Sequence, residues 1–326
     1  MTRFSDIGHD PHGLALGIDV GGTKMAAGLV DATGTVVVSD AVPTPKGTDP
    51  DVAFDALLEL LELVLSAGGR PAISGVGIGA PGPMTWPEGA LSPLNIEAWR
   101  DFPIRAKIAA EFGHSAVRIR NDAVCMAIAE HWVGAAREHQ SMLGMVVSTG
   151  IGGGIVLDGR VLNGAAGNAG HVGHIVIDPH GPPCACGGRG CLEAMASGTS
   201  IARLATQAGW TPSRADLGPT GEAVTIDAGL GDPIASAVMR AAGTAVGIAI
   251  ASALATLDVD IVVVGGGVAR SGPLLFDPLR AALEDHAQLA FTRDIPVVGA
   301  SCGVSAGFIG AAALIHRPDQ YWGVVE

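Results

Sequence analysis

The chain has 326 residues, of which 48% are hydrophobic, 16% charged and only 4% aromatic, and its formal net charge is −13. That length suits two lobes of ordinary size, and a surface of that sign repels phosphate backbones and anionic lipid, so neither nucleic acid nor a membrane is expected as a partner. No apolar run reaches the ~20 residues of a spanning helix. Met1–Gly13 lacks the basic-then-apolar order of an export signal; it is expected to be a loose tail on a cytoplasmic protein.

In chain order, Leu14–Val20 is an apolar run ending near Asp19 and followed by Gly-Gly-Thr-Lys, which predicts a strand and a tight turn. Met25–Val30 and Thr35–Ser39 continue as strands around the turn at Asp31–Gly34. Asp51–Ser66 carries Ala53, Leu57, Leu60, Leu61 and Val64 on one helical face and stops at Gly68-Gly69. Ile73–Ile78 predicts a buried strand and Asp101–Phe112 a helix. Ala116–Arg120 predicts a strand that delivers Asn121-Asp122 at its end, with a helix from Asp122 to Val133. Leu143–Thr149 and Gly154–Leu157 flank a glycine-rich turn. A loop-rich stretch spans Asn163–Cys191, and helices are expected from about Glu193 and over Pro233–Leu257. Ile261–Val264 is a strand opening onto Gly265-Gly266-Gly267, and helices near Pro273–Asp285 and Gly303–Ile315 close the chain.

Four constellations carry chemistry. Asp19 followed by Gly21, Gly22, Thr23 and Lys24 places main-chain N–H groups after a strand, where they can approach a polyphosphate, with Asp19 positioned to hold Mg²⁺ through water. Taken alone, an ordinary glycine-rich hairpin explains it equally well. Ser148-Thr149-Gly150-Ile151-Gly152-Gly153-Gly154 mirrors it, and two such turns resemble the paired phosphate loops of the actin-like ATPase fold, with Gly265, Gly266 and Gly267 as the adenosine-side turn. Asn121-Asp122 at a strand end puts a carboxylate where it can take a proton during phosphoryl transfer, although alone it reads better as a helix N-cap. His174, Cys184, Cys186 and Cys191 give one imidazole and three thiolates, a full tetrahedral set for a structural Zn²⁺. Cys125 and Cys302 are expected to be inert core residues.

On these markers, with Gly79–Pro83, Leu94-Asn95 and the block Gly164–Gly198, the chain resembles the ROK (repressor, ORF, kinase) family from about Leu14 to Ile315. It is similar to the branch of bacterial glucokinases and N-acylmannosamine kinases. The resemblance implies an α/β, two-lobed actin-like ATPase (ribonuclease H-like) fold with an interlobe cleft and a zinc-binding loop. The expected lobes are 1–121, completed by a C-terminal helix near 303–326, and 122–302 with the zinc loop 174–191. The activity implied is ATP- and Mg²⁺-dependent phosphorylation of a hexose at its 6-hydroxyl. Asp122 would be the catalytic base, and Asn95, Asn121, His174 and Glu193 would contact sugar hydroxyls. His174 would put one ring nitrogen on zinc and the other toward the sugar. Gly21–Lys24 and Thr149-Gly150 would be the phosphate turns, and a homo-oligomer, dimer or tetramer, is expected.

One position departs from the family pattern. Glucokinases of this family usually carry Glu where this chain has His171, and neutral His offers a donor as well as an acceptor. N-acetylmannosamine kinases are similar in having His there, whereas Pro93–Ile96 with Trp99, Phe102 and Pro103 looks more like the glucokinase branch. The balance favours glucose or a close hexose, with N-acetylmannosamine or mannose as the alternative. A sugar-sensing repressor would need a winged helix-turn-helix ahead of the first turn, and Asp19 lies too near the start for one. A catalytically dead sugar-binding protein would be expected to lack the base, but Asp122 is present.

Overall fold

The computed structural model describes residues 3–93, 96–113 and 116–323. The chain divides into two compact units. The first gathers the residues up to Gln140, Gly154–Ala169 and those from Ser301 onward; the second takes Ser141–Gly153 and Gly170–Ala300.

In the first unit, β1 (His9–Val20), β2 (Lys24–Val30), β3 (Val36–Pro43), β4 (Ile73–Ala80) and β5 (Ala116–Asn121) form a sheet in the order β3-β2-β1-β4-β5. β1 runs antiparallel to β2 and parallel to β4, and β5 is parallel to β4. The two-residue period of a strand splits its side chains between two faces. Leu16, Ile18, Val76 and Ile78 share one core with Leu57, Leu60, Leu61 and Val64 of helix α1 (Pro50–Ala67). The Asp49 carboxylate starts that helix by accepting from the Asp51 N–H, and Pro50 occupies its first turn.

The other face is lined by glycine. A Cβ on Gly17 would lie 2.0 Å from the Phe308 carbonyl oxygen, and one on Gly77 would lie 1.8 Å from that of Ala311. Only glycine lets helix α9 (Ala306–His316) settle onto the strand backbone this closely. Helix α3 (Asp122–Trp132) packs on α9 in turn, with Gly310 against the Cys125 backbone. Helix α3 therefore lies in the first unit, past the division expected at residue 121.

The residues expected to be a loose tail are tied down. Phe4 is fully buried and stacks on Phe112, at the end of helix α2 (Ile104–Phe112), with ring centroids 4.6 Å apart. Arg70 donates to both carboxylate oxygens of Asp6, which holds that carboxyl below its ordinary value, and β1 already begins at His9. The apolar Phe4 and Ile7 are the reason: both find cover, and the backbone between them follows.

In the second unit, β6 (Met142–Val147), β9 (Ile261–Gly265) and β10 (Val297–Gly299) are parallel; β7 (Ile151–Leu157) starts in this unit, and most of it, with β8 (Arg160–Val161), belongs to the residues of the first. Helices α4 (Leu192–Ala196), α5 (Gly198–Gln207), α6 (Gly221–Gly229), α7 (Pro233–Leu257) and α8 (Pro273–His286) complete the second unit. Helix α6 has no counterpart among the expected elements. It is short and apolar at few positions, and it is started by the Thr220 hydroxyl, which accepts from the Ala223 N–H at 3.2 Å. Helix α7 is long and apolar enough by composition to cross a membrane, yet more than half of its most apolar window is buried. Gly243 and Gly247 let it approach the Leu275–Leu279 stretch of α8 closely.

Candidate active site and metal centre

In the first unit, β1 ends at Asp19–Val20 and turns through Gly21-Gly22-Thr23 into β2. The Gly21 N–H donates to the Lys24 carbonyl at 3.0 Å, closing the turn. Two residues beyond β3 brace it: the Thr44 hydroxyl donates to the Gly21 carbonyl and Lys46 Nζ to the Gly22 carbonyl, each at 2.6 Å. Neither brace was anticipated, because each lies more than twenty residues away in sequence and carries no motif.

Asp122 is the first residue of α3, and Asn121 takes the capping role: its Oδ1 accepts from the Ala123 N–H at 3.0 Å. Asp122 Oδ1 also accepts from that N–H, at 2.8 Å. Burial holds the Asp122 carboxyl above its ordinary value, opposed by these N–H contacts and by Asn121. The Asp19 carboxylate abuts Gly307 in the first turn of α9, where a Cβ would come within 2.3 Å of its Cγ. Burial first, and the neighbouring charge of Asp122 second, push the Asp19 carboxyl up to about 7, with Lys24 opposing. Two half-buried carboxylates with little countercharge form a donor set suited to a hard divalent cation. Arg120, two residues before Asp122 on β5, is buried; its guanidinium lies 3.8 Å from the Trp86 ring centroid and donates to the carbonyls of Tyr321 and Trp322. That clamp fixes the strand end from which Asp122 projects.

In the second unit, the turn between β6 and β7 is closed by the Ser148 N–H donating to the Gly150 carbonyl at 2.9 Å. Gly266 follows β9 with φ +100°, and its missing Cβ leaves room for the Val147 carbonyl. A cavity of about 880 Å³ opens beside these turns, lined by Ser148, Thr149, Gly267 and Val268 and walled by α5 and the start of α6. Of the expected adenosine-side glycines, Gly267 lines the cavity and Gly265 and Gly266 do not. The wall residues Arg203 and Glu222 were not anticipated, since α5 and α6 carry no motif of their own, and neither was Arg270, in the short turn Ala269–Ser271 after β9.

The metal-ligand set is brought together within the same unit. One ligand atom from each of His174, Cys184, Cys186 and Cys191 lies within 4.8 Å of every other. Cys186 Sγ and Cys191 Sγ are 3.8 Å apart, and His174 Nδ1 lies 3.8 Å from Cys184 Sγ. Bonds of ~2.3 Å to a tetrahedral centre would set sulfurs ~3.8 Å apart, so the donors fit zinc in both type and spacing. Gly187 (φ +90°) and Gly190 (φ +68°) make the wrap possible, and a Cβ on Gly190 would strike the Asp178 carbonyl oxygen. His174 turns Nδ1 toward the sulfurs. The exposed His171 stands at the start of the same short helical turn, with ring centroids 6.4 Å apart. Glu193, on α4, accepts from the Ile151 N–H at 2.9 Å through Oε2. Asn95 lies outside the described residues. Cys125 is buried, and Cys302 is half-buried with its N–H donating to Glu130.

The ROK family model matches residues 15–318. The glucokinase of Streptomyces coelicolor is 34% identical over 321 residues, which are 94% of this chain and 99% of that protein. The N-acetylmannosamine kinase of Escherichia coli O157:H7 is 35% identical over 301 residues, covering 92% and 97%. The crystal structure of a ROK family glucokinase from Streptomyces griseus in complex with glucose and AMPPNP superposes with a TM-score of 0.80 at 31% identity, covering 93% of this chain and 99% of that one.

Proposed function

The chain belongs to the ROK family, and on that footing we propose that it is an ATP-dependent hexose kinase of glucokinase type. The observation that carries this reading is Asp122, a carboxylate fixed at the start of α3 with its proton affinity raised by burial and Asp19 as its neighbour. In this reading Asp122 accepts the proton of the sugar 6-hydroxyl as that oxygen attacks the terminal phosphoryl group of the nucleotide. A carboxyl with a raised pKa is the better proton acceptor. Asp19 orients the divalent cation that accompanies the nucleotide; when bound, that cation neutralises charge on the phosphoryl oxygens. The N–H groups of the Gly21–Lys24 and Ser148–Gly150 turns hold the phosphates, and the cavity beside Thr149 and Gly267 takes the nucleoside. Its volume is in the range usual for ligand sites.

Cys184, Cys186, Cys191 and His174 Nδ1 would hold zinc, which supplies rigidity and leaves the other imidazole nitrogen of His174 to read a sugar hydroxyl. Glu193 and Asn121 serve the same acceptor sugar. Reduced thiols and a nucleotide co-substrate suit the cytoplasm.

A second reading rests on His171. It occupies the position where a carboxylate would read the sugar near its anomeric carbon, and its donor–acceptor character favours N-acetylmannosamine. A coupled ADP-release assay with glucose, mannose, N-acetylmannosamine and N-acetylglucosamine decides between the two. Glucose is expected to give the highest kcat/KM. Binding of sugar with no ADP released from Mg-ATP for any of the four would overturn the kinase reading itself.

A further inference from the structure

Glu193 has so far been assigned to the sugar, yet its best-defined contact is elsewhere. Its Oε2 accepts from the Ile151 N–H at 2.9 Å, and a Cβ added to Gly150 would lie 2.9 Å from the same oxygen. Ile151 is the residue with which the Ser148–Gly150 turn enters β7. The carboxylate is thus pressed against the back of the turn.

Two further contacts from the same short segment reach that turn. The Gly198 N–H donates to the Ser148 carbonyl at 2.7 Å, and the Thr199 hydroxyl donates to the Thr149 carbonyl at 2.9 Å. Ser148, Thr149 and Ile151 are each held by one bond from residues 193–199. The segment is itself braced, because the Ser200 hydroxyl and the Ser197 N–H both donate to the Glu193 carbonyl. At its other end, Cys191 precedes α4, and the Leu192 N–H donates to the Ile175 carbonyl, next to His174.

We propose that Glu193 is a positioning residue for the nucleotide: through the Ile151 N–H it sets the turn that receives the phosphates, so that one carboxylate serves the nucleotide turn as well as the sugar. This rests on the kinase reading above and deepens it. A residue that only contacts sugar would have no influence on nucleotide binding in the absence of sugar. A residue that sets the turn would.

The test measures the Kd of the non-hydrolysable analogue AMPPNP with Mg²⁺ and no hexose, by calorimetry, on native protein and on Glu193→Ala, Glu193→Gln and Glu193→Asp. Zinc content and thermal unfolding are recorded for each. Loss of a charge-assisted hydrogen bond is expected to weaken AMPPNP roughly tenfold in Glu193→Ala. Glu193→Gln, whose amide carbonyl still accepts from Ile151, is expected to recover most of that loss. Glu193→Ala that binds AMPPNP like the native protein but has lost affinity for hexose overturns the proposal while leaving the kinase reading intact. If Glu193→Ala fails to fold, Glu193→Asp, whose shorter arm draws the carboxylate back from the Ile151 N–H, decides: weakened AMPPNP binding supports the proposal, and AMPPNP binding like that of the native protein overturns it. Native protein that binds no AMPPNP removes both readings together.

Discussion

Asp122 and Asp19 carry opposite expectations at the level of single side chains. Asp122→Asn keeps the shape of the site and the start of α3 but removes the proton acceptor, so kcat is expected to fall by ~10²–10⁴ with hexose Kd little changed. Stopped-time product assays beside calorimetry check it; an unchanged kcat removes Asp122 from its role. Asp19 is a stability liability. Its carboxyl is raised from 3.8 to about 7 in the folded protein, so between those values the folded state binds a proton that the unfolded state has released. Stability from this group is therefore present at low pH and is lost as pH rises toward about 7. In metal-free protein, Asp19→Asn is expected to raise Tm at pH 8, by an amount worth on the order of a few kcal/mol, and to have little effect near pH 4. Equal shifts at both pH values would contradict the burial argument. The His174–Cys191 set was legible in the sequence because its side-chain types are tied to chemistry and its spacing is local, whereas Asp19 and Asp122 stood out only beside the family resemblance. Thr44 and Lys46 were not legible, since threonine and lysine occur everywhere and their partners at Gly21 and Gly22 are set by strand pairing alone.

At the level of elements, the most consequential residue is one that no motif marks. Glu130, in the last turn of α3, is fully buried and accepts from the N–H groups of Ala135, Ser301 and Cys302 and from the Ser301 hydroxyl. It fastens α3 to the residues that lead into α9. Glu130→Ala would remove the acceptor of three part-buried N–H bonds, and a loss of about 2 kcal/mol is expected, read as a lower urea midpoint. Glu130→Gln should cost clearly less. From sequence, a single Glu inside an apolar helical run reads as its solvent-facing side; only the non-local return of residues 301–302 reverses that. The same reasoning explains why α1 and α7 were legible, with long periodic runs and Pro at their first turns, while α6 was not. The wall that α5 and α6 build around the cavity depends on how two weakly patterned helices pack, which periodicity alone does not fix.

For the whole molecule, the zinc-ligand cluster is the feature whose loss should spread furthest. Native protein is expected to carry about one zinc per chain by elemental analysis. Cys186→Ser is expected to lose it and to unfold at lower temperature, because four donors spread over residues 174–191 are otherwise joined mainly by turns. Native protein free of zinc would rule out the centre.

The position of α9 bears on how the protein is made. The glycine faces of β1 and β4 are synthesised early, but the helix that fills them is made only after every residue of the second unit. Until then the nascent chain carries an uncovered sheet surface, so the second unit has every residue it needs before the first can close. Messages truncated just upstream of residue 301 should give aggregates rather than a half-folded enzyme, and chaperone dependence should concentrate in that interval.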